Sequence, residues 1–255
     1  MFFEISATLI AVSLILGALG PIVLWQKLEI IGDSLAHSLI FALVVSYLTG
    51  IDQLYANILI ATIFTIFLQY NAHNIRDNNM SRIIILNCFL TSITIIFADF
   101  ADGALRLREF IVGHPFASNM QTVVISFIVL TVVFTFIAIN YKNIVLCSID
   151  EDMAVIKGLN VPLFQFCIKL ILSISIAITV NIVGILLMVA MLIIPASIAR
   201  LISRSPKEMI ILSIFISLVS GILSAYCSIG FDIPYGPLLA IILSTLYLYS
   251  LFLKS

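Results

Sequence analysis

Charge is what this sequence has least of. Only 10% of its 255 residues are Asp, Glu, Lys or Arg, 62% are apolar, and the mean hydropathy is +1.25. A soluble domain carries about a quarter charged residues, so a soluble fold is excluded. At about 20 residues per crossing the length allows up to roughly nine spans and leaves no room for a soluble catalytic domain. The reading is therefore all-α and polytopic, with residues 1–255 forming one membrane domain. The net charge is −1 and the basic residues are scattered among loops, which excludes a nucleic-acid partner. Four cysteines, Cys88, Cys147, Cys167 and Cys227, lie far apart without a C-x-x-C, so neither a disulfide framework nor a thiolate metal site is indicated. Also missing is G-x-x-x-x-G-K, so the chain does not bind ATP through a P-loop of its own. H-E-x-x-H and G-x-S-x-G are absent too, which argues against an intramembrane protease or hydrolase. The start, M-F-F-E-I-S, lacks the basic region of a signal peptide, and the first apolar run is expected to be retained as a span.

What is present is a series of apolar runs, at about 5–24, 30–49, 54–72, 83–98, 121–140, 165–181, 183–202, 209–228 and 236–253. The sixth and seventh are divided only by Asn181, Ile182 and Val183 ahead of Gly184. Lys and Arg collect in cytoplasmic loops. Threaded with the N-terminus outside, the chain places Lys27, Arg76, Arg82, Lys142, Lys157, Arg200, Arg204, Lys207 and Lys254 inside, and only Arg106 and Arg108 outside. The expected topology is N-out, C-in. Lys169 falls inside the sixth run near its cytoplasmic end, where its stem can snorkel. An outer connection from Asp99 to Met120 carries Asp102, Glu109 and His114, and its L-R-L-R-E-F-I-V suits a short surface helix. The inner connection, Tyr141 to Leu163, reads as a short helix stopped by Gly158 and Pro162.

The second run holds the chemistry. I-I-G-D-S-L-A-H-S-L places Asp33 and His37 four residues apart, which on a helix puts both on one face, about 40° apart. A carboxylate in hydrocarbon costs several kcal/mol unless it is paired or faces water, so an intramembrane acid is read as functional first. From Lys27 a helix rises about 9 Å to Asp33 and about 15 Å to His37, the depth of a transporter's substrate site. The bland alternative is a snorkelling Asp33 bonded to Ser34 or Ser38, beside a satisfied interhelical histidine. Carboxylate plus imidazole suits Zn(II), Mn(II) or Fe(II) and is poor for Cu(I), while only two ligands indicate transient binding. Gly32 and Ala36 repeat the small-x-x-x-small spacing that lets helices approach.

The seventh run, V-G-I-L-L-M-V-A-M-L-I-I-P-A-S-I-A-R, starts near Gly184 and contains Pro195. Such a proline frees backbone groups and is compatible with a broken, pore-lining helix, although a simple kink is the commoner cause. Met188 and Met191 read as packing residues. Near the C-terminus G-F-D-I-P-Y-G-P forms a rigid turn, with Asp232 at the outer mouth; His73 reads as solvated. Besides a transporter driven by a partner ATPase, the residues admit an ion-coupled secondary transporter in which Asp33 relays protons.

G-D-S-L-A-H-S (Gly32 to Ser38) closely resembles the G-D-x-x-x-H-A/S signature of the membrane permeases of bacterial ABC-type zinc, manganese and iron importers. Gly184 to Arg200 is similar to that family's G-x-L-L-x-x-A-L-L-I-I-P-A-A-x-A-R. D-x-x-x-A-x-x-x-G, formed here by Asp150, Ala154 and Gly158, looks like its cytoplasmic coupling segment, and Y-G-P (Tyr235, Gly236, Pro237) recurs near its C-terminus. The resemblance covers nearly the whole chain in order; R-E-F-I-V-G-H-P-F follows the family's outer-loop pattern only loosely. It implies a permease of eight or nine spans in the bacterial cytoplasmic membrane, a homodimer working with ABC ATPase subunits and an extracytoplasmic metal-binding protein. It further implies no permanently bound cofactor, Asp33 and His37 as contacts for the transported metal, and an ATPase dock at Asp150 to Gly158. The family match leans towards zinc, with manganese or iron as the alternative cargo.

Overall fold

A computed structural model describes residues 2–72, 79–100, 110–113, 119–231 and 233–254. Every regular element among them is a helix: α1 (Phe2–Trp25), α2 (Glu29–Ser38), α3 (Ile40–Thr49), α4 (Gln53–Ala72), α5 (Asn79–Phe100), α6 (Met120–Ile149), α7 (Glu151–Ile156), α8 (Val161–Val183), α9 (Ile185–Ile202), α10 (Pro206–Phe231) and α11 (Tyr235–Lys254). A helix satisfies its own backbone, the requirement that hydrocarbon imposes on any spanning segment. Seven stretches are long and apolar enough to cross a membrane, and Ile83–Phe97 and Met188–Ile202 are shorter apolar helices. His73, Asp102, Arg106, Arg108, His114 and Asp232 lie outside the described residues.

α1 is apolar all round, which is the pattern of a helix buried on every side. In its apolar window 83% of residues are buried, against 22% for α6, which therefore lies at the periphery. Around α1 pack α6, α9 and α10. With lipid as the solvent, apolar surface alone does not hold helices together, and close approach of small residues does. α10 presents Ser213, Ser217, Ser220, Gly221, Ser224 and Ser228, all buried, and the Ser217 hydroxyl donates to the Ser13 carbonyl of α1 at 2.8 Å. On the other flank Gly20 of α1 meets the Leu192 carbonyl oxygen of α9, where a β-carbon has no room.

Helix ends that the charge asymmetry assigns to one side meet in space. Gln121 Nε2 donates to the Tyr55 hydroxyl at 3.0 Å, and Asn57 to Asn181 Oδ1 at 3.2 Å, all at ends expected outside. At the other side Trp25 Nε1 donates to Met209 Sδ at 3.3 Å, and the Lys207 ammonium lies 5.5 Å from the Tyr141 ring centre.

Three expectations change. The run 30–49 is two helices, interrupted at Leu39. The fifth span continues as helix to Ile149, so the inner connection is shorter than Tyr141 to Leu163. Pro162 opens α8 and does not stop the helix before it; its missing N–H costs nothing in a first turn. α9 runs through Pro195, so the broken-helix alternative is not met there, and the division between the sixth and seventh runs falls at Gly184, where the sequence hints at it, with φ +89°.

Filling the α1–α9 contact tests this packing. Gly20→Val is expected to destabilise the chain by about 1–3 kcal/mol, the usual range for overpacking, seen as a lower thermal midpoint in detergent. Gly50→Val, at a position where an added β-carbon meets nothing within 4 Å, is the control for backbone strain, since Gly50 has φ +70°.

Candidate functional site

α2 has two unlike sides. Gly32, Leu35, Ala36 and Leu39, spaced i, i+3, i+4, i+7, are buried, the first of them with room for a β-carbon 3.5 Å from Leu192 Cδ2 of α9. This is the close approach that the small residues predict. Asp33 and His37 stand off that side, their side chains 55% and 36% exposed. A single chain therefore does not enclose them.

His37 Nε2 lies 3.8 Å from Asp33 Oδ1, beyond a hydrogen bond. That separation is below the sum of two zinc–ligand bonds, about 4.1 Å, so one ion can touch both atoms. Neither Ser34 nor Ser38 is bonded to Asp33: the Ser38 hydroxyl donates at 2.8 Å to the Leu35 carbonyl of its own helix, a bond that tends to bend helices. Just beyond, the Leu39 N–H is shared between the carbonyls of Leu35 and Ala36, each at 3.2 Å, and α2 ends. Three residues past His37 the chain restarts as α3. Sequence reasoning missed this interruption because no Gly or Pro marks it; the serine was its one available signal. Among the described residues no three or more His, Cys, Asp or Glu come together to hold an ion.

α7 is built as the sequence suggests. Asp150 is its N-cap, accepting from the N–H groups of Asp152 and Met153 at 2.9 and 3.1 Å. Ala154 is fully buried, and Gly158, at φ +81°, closes the segment with its N–H on the Val155 carbonyl at 2.8 Å. α7 rests on α6 and α8, away from Asp33 and His37 in sequence and in the fold. Gly184 and Gly113 form a third feature: their backbones touch so closely that a β-carbon on either meets the other strand of chain. Residues 111–113 are thus packed against the α8–α9 break. Tyr235 is buried with its hydroxyl unbonded, and Gly236 and Pro237 lie in the first turn of α11. Pro195, Gly184 and the Tyr235 to Pro237 segment do not converge on the Asp33–His37 pair as ligands. Met188 and Met191 are fully buried packing residues.

These features define a polytopic helical transport subunit with one polar pair on an open helix face. The chain belongs to the ABC 3 transport family, whose model matches residues 1–254. It is 27% identical over 243 residues, 94% of this chain and 93% of the relative, to the high-affinity zinc uptake system membrane protein ZnuB of Buchnera aphidicola subsp. Schizaphis graminum. To the manganese transport system membrane protein MntC of Listeria monocytogenes it is 25% identical over 240 residues, covering 94% and 86% of the two chains. Among solved structures, PsaBC from Streptococcus pneumoniae in complex with Fab shares the fold, with a TM-score of 0.86, 24% identity, and coverage of 97% of this chain and 89% of that one. Membership of an ABC family decides against the ion-coupled secondary transporter.

The α7 segment makes a separable prediction. Asp150→Ala is expected to cost about 1 kcal/mol through the lost cap, and Gly158→Val about 1–2 kcal/mol through its left-handed backbone. Gly158→Asn should be tolerated. Amide hydrogen exchange across residues 150–158 reads all three, faster in the first two variants and near wild type in the last.

Proposed function

We propose that the chain is the membrane permease of an ATP-driven divalent-metal importer of a bacterial cytoplasmic membrane. As a single permease domain, N-out and C-in, it passes metal delivered by an extracytoplasmic binding protein to the cytoplasm, and partner ATPase subunits hydrolyse the ATP. Zinc is the first candidate cargo and manganese the second: both accept a carboxylate and an imidazole, and relatives named for each metal match at similar identity. The observation that carries the reading is Asp33 and His37, two ligands within reach of one ion on an exposed helix face. Charged groups do not face lipid when an alternative exists. A second copy of the chain closing over α2 supplies that alternative and makes the pair the wall of a shared path, which supports a homodimer.

On this reading α7 is the dock for the ATPase. Its cap at Asp150, buried Ala154 and closing turn at Gly158 give a short, rigid helix resting on α6 and α8. Gly184, Pro195, Tyr235, Gly236 and Pro237 are structural: Gly184 sets the α8–α9 break, Pro195 lies within α9, and Tyr235 to Pro237 start α11.

The test is metal uptake by cells carrying Asp33→Asn or His37→Ala in permeases that still co-purify with the ATPase. Uptake is expected to fall about tenfold or more, the scale of losing one charge-assisted contact. Wild-type uptake by both variants would sink the assignment. Competition between zinc and manganese in the same assay identifies the cargo, the preferred ion suppressing uptake of the other.

A further inference from the structure

A well-formed groove among the described residues lies away from Asp33. It has a volume of about 810 Å³ and lies between the end of α4, the start of α7 and the first turns of α8, all at the side that the basic residues mark as cytoplasmic. That volume falls within the range that holds small ligands, roughly 300–1,000 Å³. Two opposite charges line it, Lys169 and Glu151, together with Gln69, Tyr70, Asn160 and Gln165. They are not ion-paired with each other. Lys169 Nζ donates to Gln69 Oε1 at 3.1 Å, and Gln69 Nε2 reaches the Pro162 carbonyl at 3.3 Å. The ammonium is thereby drawn down to the level where α8 begins, with further N–H donors of its three to spare. Glu151 accepts from Gln165 Nε2 at 2.7 Å through Oε1, leaving acceptor capacity on its carboxylate. Beside the charges, Ile66 and Leu163 line the groove and are exposed, continuing the apolar outer surface of α4 and α8.

We propose that this groove binds the headgroup of an inner-leaflet phosphatidylethanolamine, its phosphate on Lys169 and its primary ammonium on Glu151. The charge pattern selects the zwitterion. A phosphatidylglycerol phosphate satisfies Lys169 but brings no cation to Glu151. Phosphatidylcholine brings a cation without an N–H, unable to donate to the carboxylate. The acyl chains follow the apolar strip at Ile66 and Leu163 into the bilayer, as lipids do at basic pockets between helices on the cytoplasmic side. Because Glu151 is the first residue of α7, the bound lipid ties α7 to α4 and α8. Only this last consequence rests on the proposed role of α7 in ATPase docking; the binding itself does not.

The experiment is native mass spectrometry of the full-length chain in detergent, with equal amounts of phosphatidylethanolamine, phosphatidylglycerol and phosphatidylcholine of matched chain length. Phosphatidylethanolamine should be retained about tenfold over the other two, the scale of one charge-assisted hydrogen bond. Lys169→Gln and Glu151→Gln should each remove that preference, and Lys169→Arg, which keeps the cation, should preserve it. Equal retention of the three lipids overturns the proposal, as does wild-type preference in both neutral variants. Release of the lipid when the chain assembles with its ATPase partner overturns it as well, assigning the groove to protein. Metal uptake enters none of these readouts, so failure here is distinct from failure of the transport reading.

Discussion

A polar group in hydrocarbon must find its partner within the protein, and the contact between α4 and α8 is built on that constraint. Three pairs cross it in antiparallel register: Asn57 with Asn181 at one end, Thr65 with Ser173 in the middle, Gln69 with Lys169 at the other. Gln53 extends the first pair by donating to Asn57 Oδ1 at 2.9 Å, and Asn57 also reaches the Ala177 carbonyl at 3.2 Å. Each such bond across membrane helices contributes about 0.6 kcal/mol on average and up to about 1.7. Their larger effect is to fix register, because sliding either helix leaves several buried groups unmet at once. α2 leans on this pair and on α9, so the wall behind Asp33 and His37 is the most firmly specified part of the chain.

Against that wall the Asp33–His37 pair is the exception. Polar side chains elsewhere in the bundle, the α4–α8 ladder first among them, are mostly satisfied by a neighbouring helix or by their own backbone. Here carboxylate and imidazole face outward, 3.8 Å apart, and the Ser38 hydroxyl beside them turns to the Leu35 carbonyl. α2 turns Gly32 and Ala36 toward the bundle and leaves Asp33 and His37 on the open side. The irregularity at Leu39, two residues past His37, is slight: its φ of −69° and ψ of −16° stay in the right-handed helical region, and residues 29–49 together are long and apolar enough to cross a membrane.

Much of this was legible beforehand, and the physical reason is uniform. Apolar runs announce spans because water and lipid differ so strongly, and the lysines and arginines announce sides. The i, i+4 spacing of Asp33 and His37, the cap at Asp150 and the turn at Gly158 are local signals that depend on a few adjacent residues, and they survived. What failed depended on partners far along the chain. Leu39, with no mark in its own identity, interrupts a helix whose halves share α4 and α5 as neighbours, while α2 alone of the two also packs closely on α8 and α9 among the described residues. The pairing of Gln69 with Lys169, 100 residues apart, and the contact of Gly113 with Gly184 were beyond any periodicity argument. Glycines at both places were visible; that they meet was not.

The arrangement also bears on how a step at one face reaches the other. Among the described residues α8 touches α7, α4 and α2, and it ends at Gly184, which packs against Gly113. α8 is thus a direct route from α7 to the pair, and the polar ladder couples α4 to it. Asp33 and His37 have few bonds to lose in a movement along that route, since among the described residues no hydrogen bond holds their side chains and they lie 3.8 Å from each other. An ion held by a carboxylate and an imidazole alone is released when the distance between wall and facing partner grows by a fraction of a bond length, whereas a closed four-ligand site resists that change. Sparse ligation on a firmly built wall is what passage requires: rigid enough to present both atoms to one ion, and too poor in ligands to keep it.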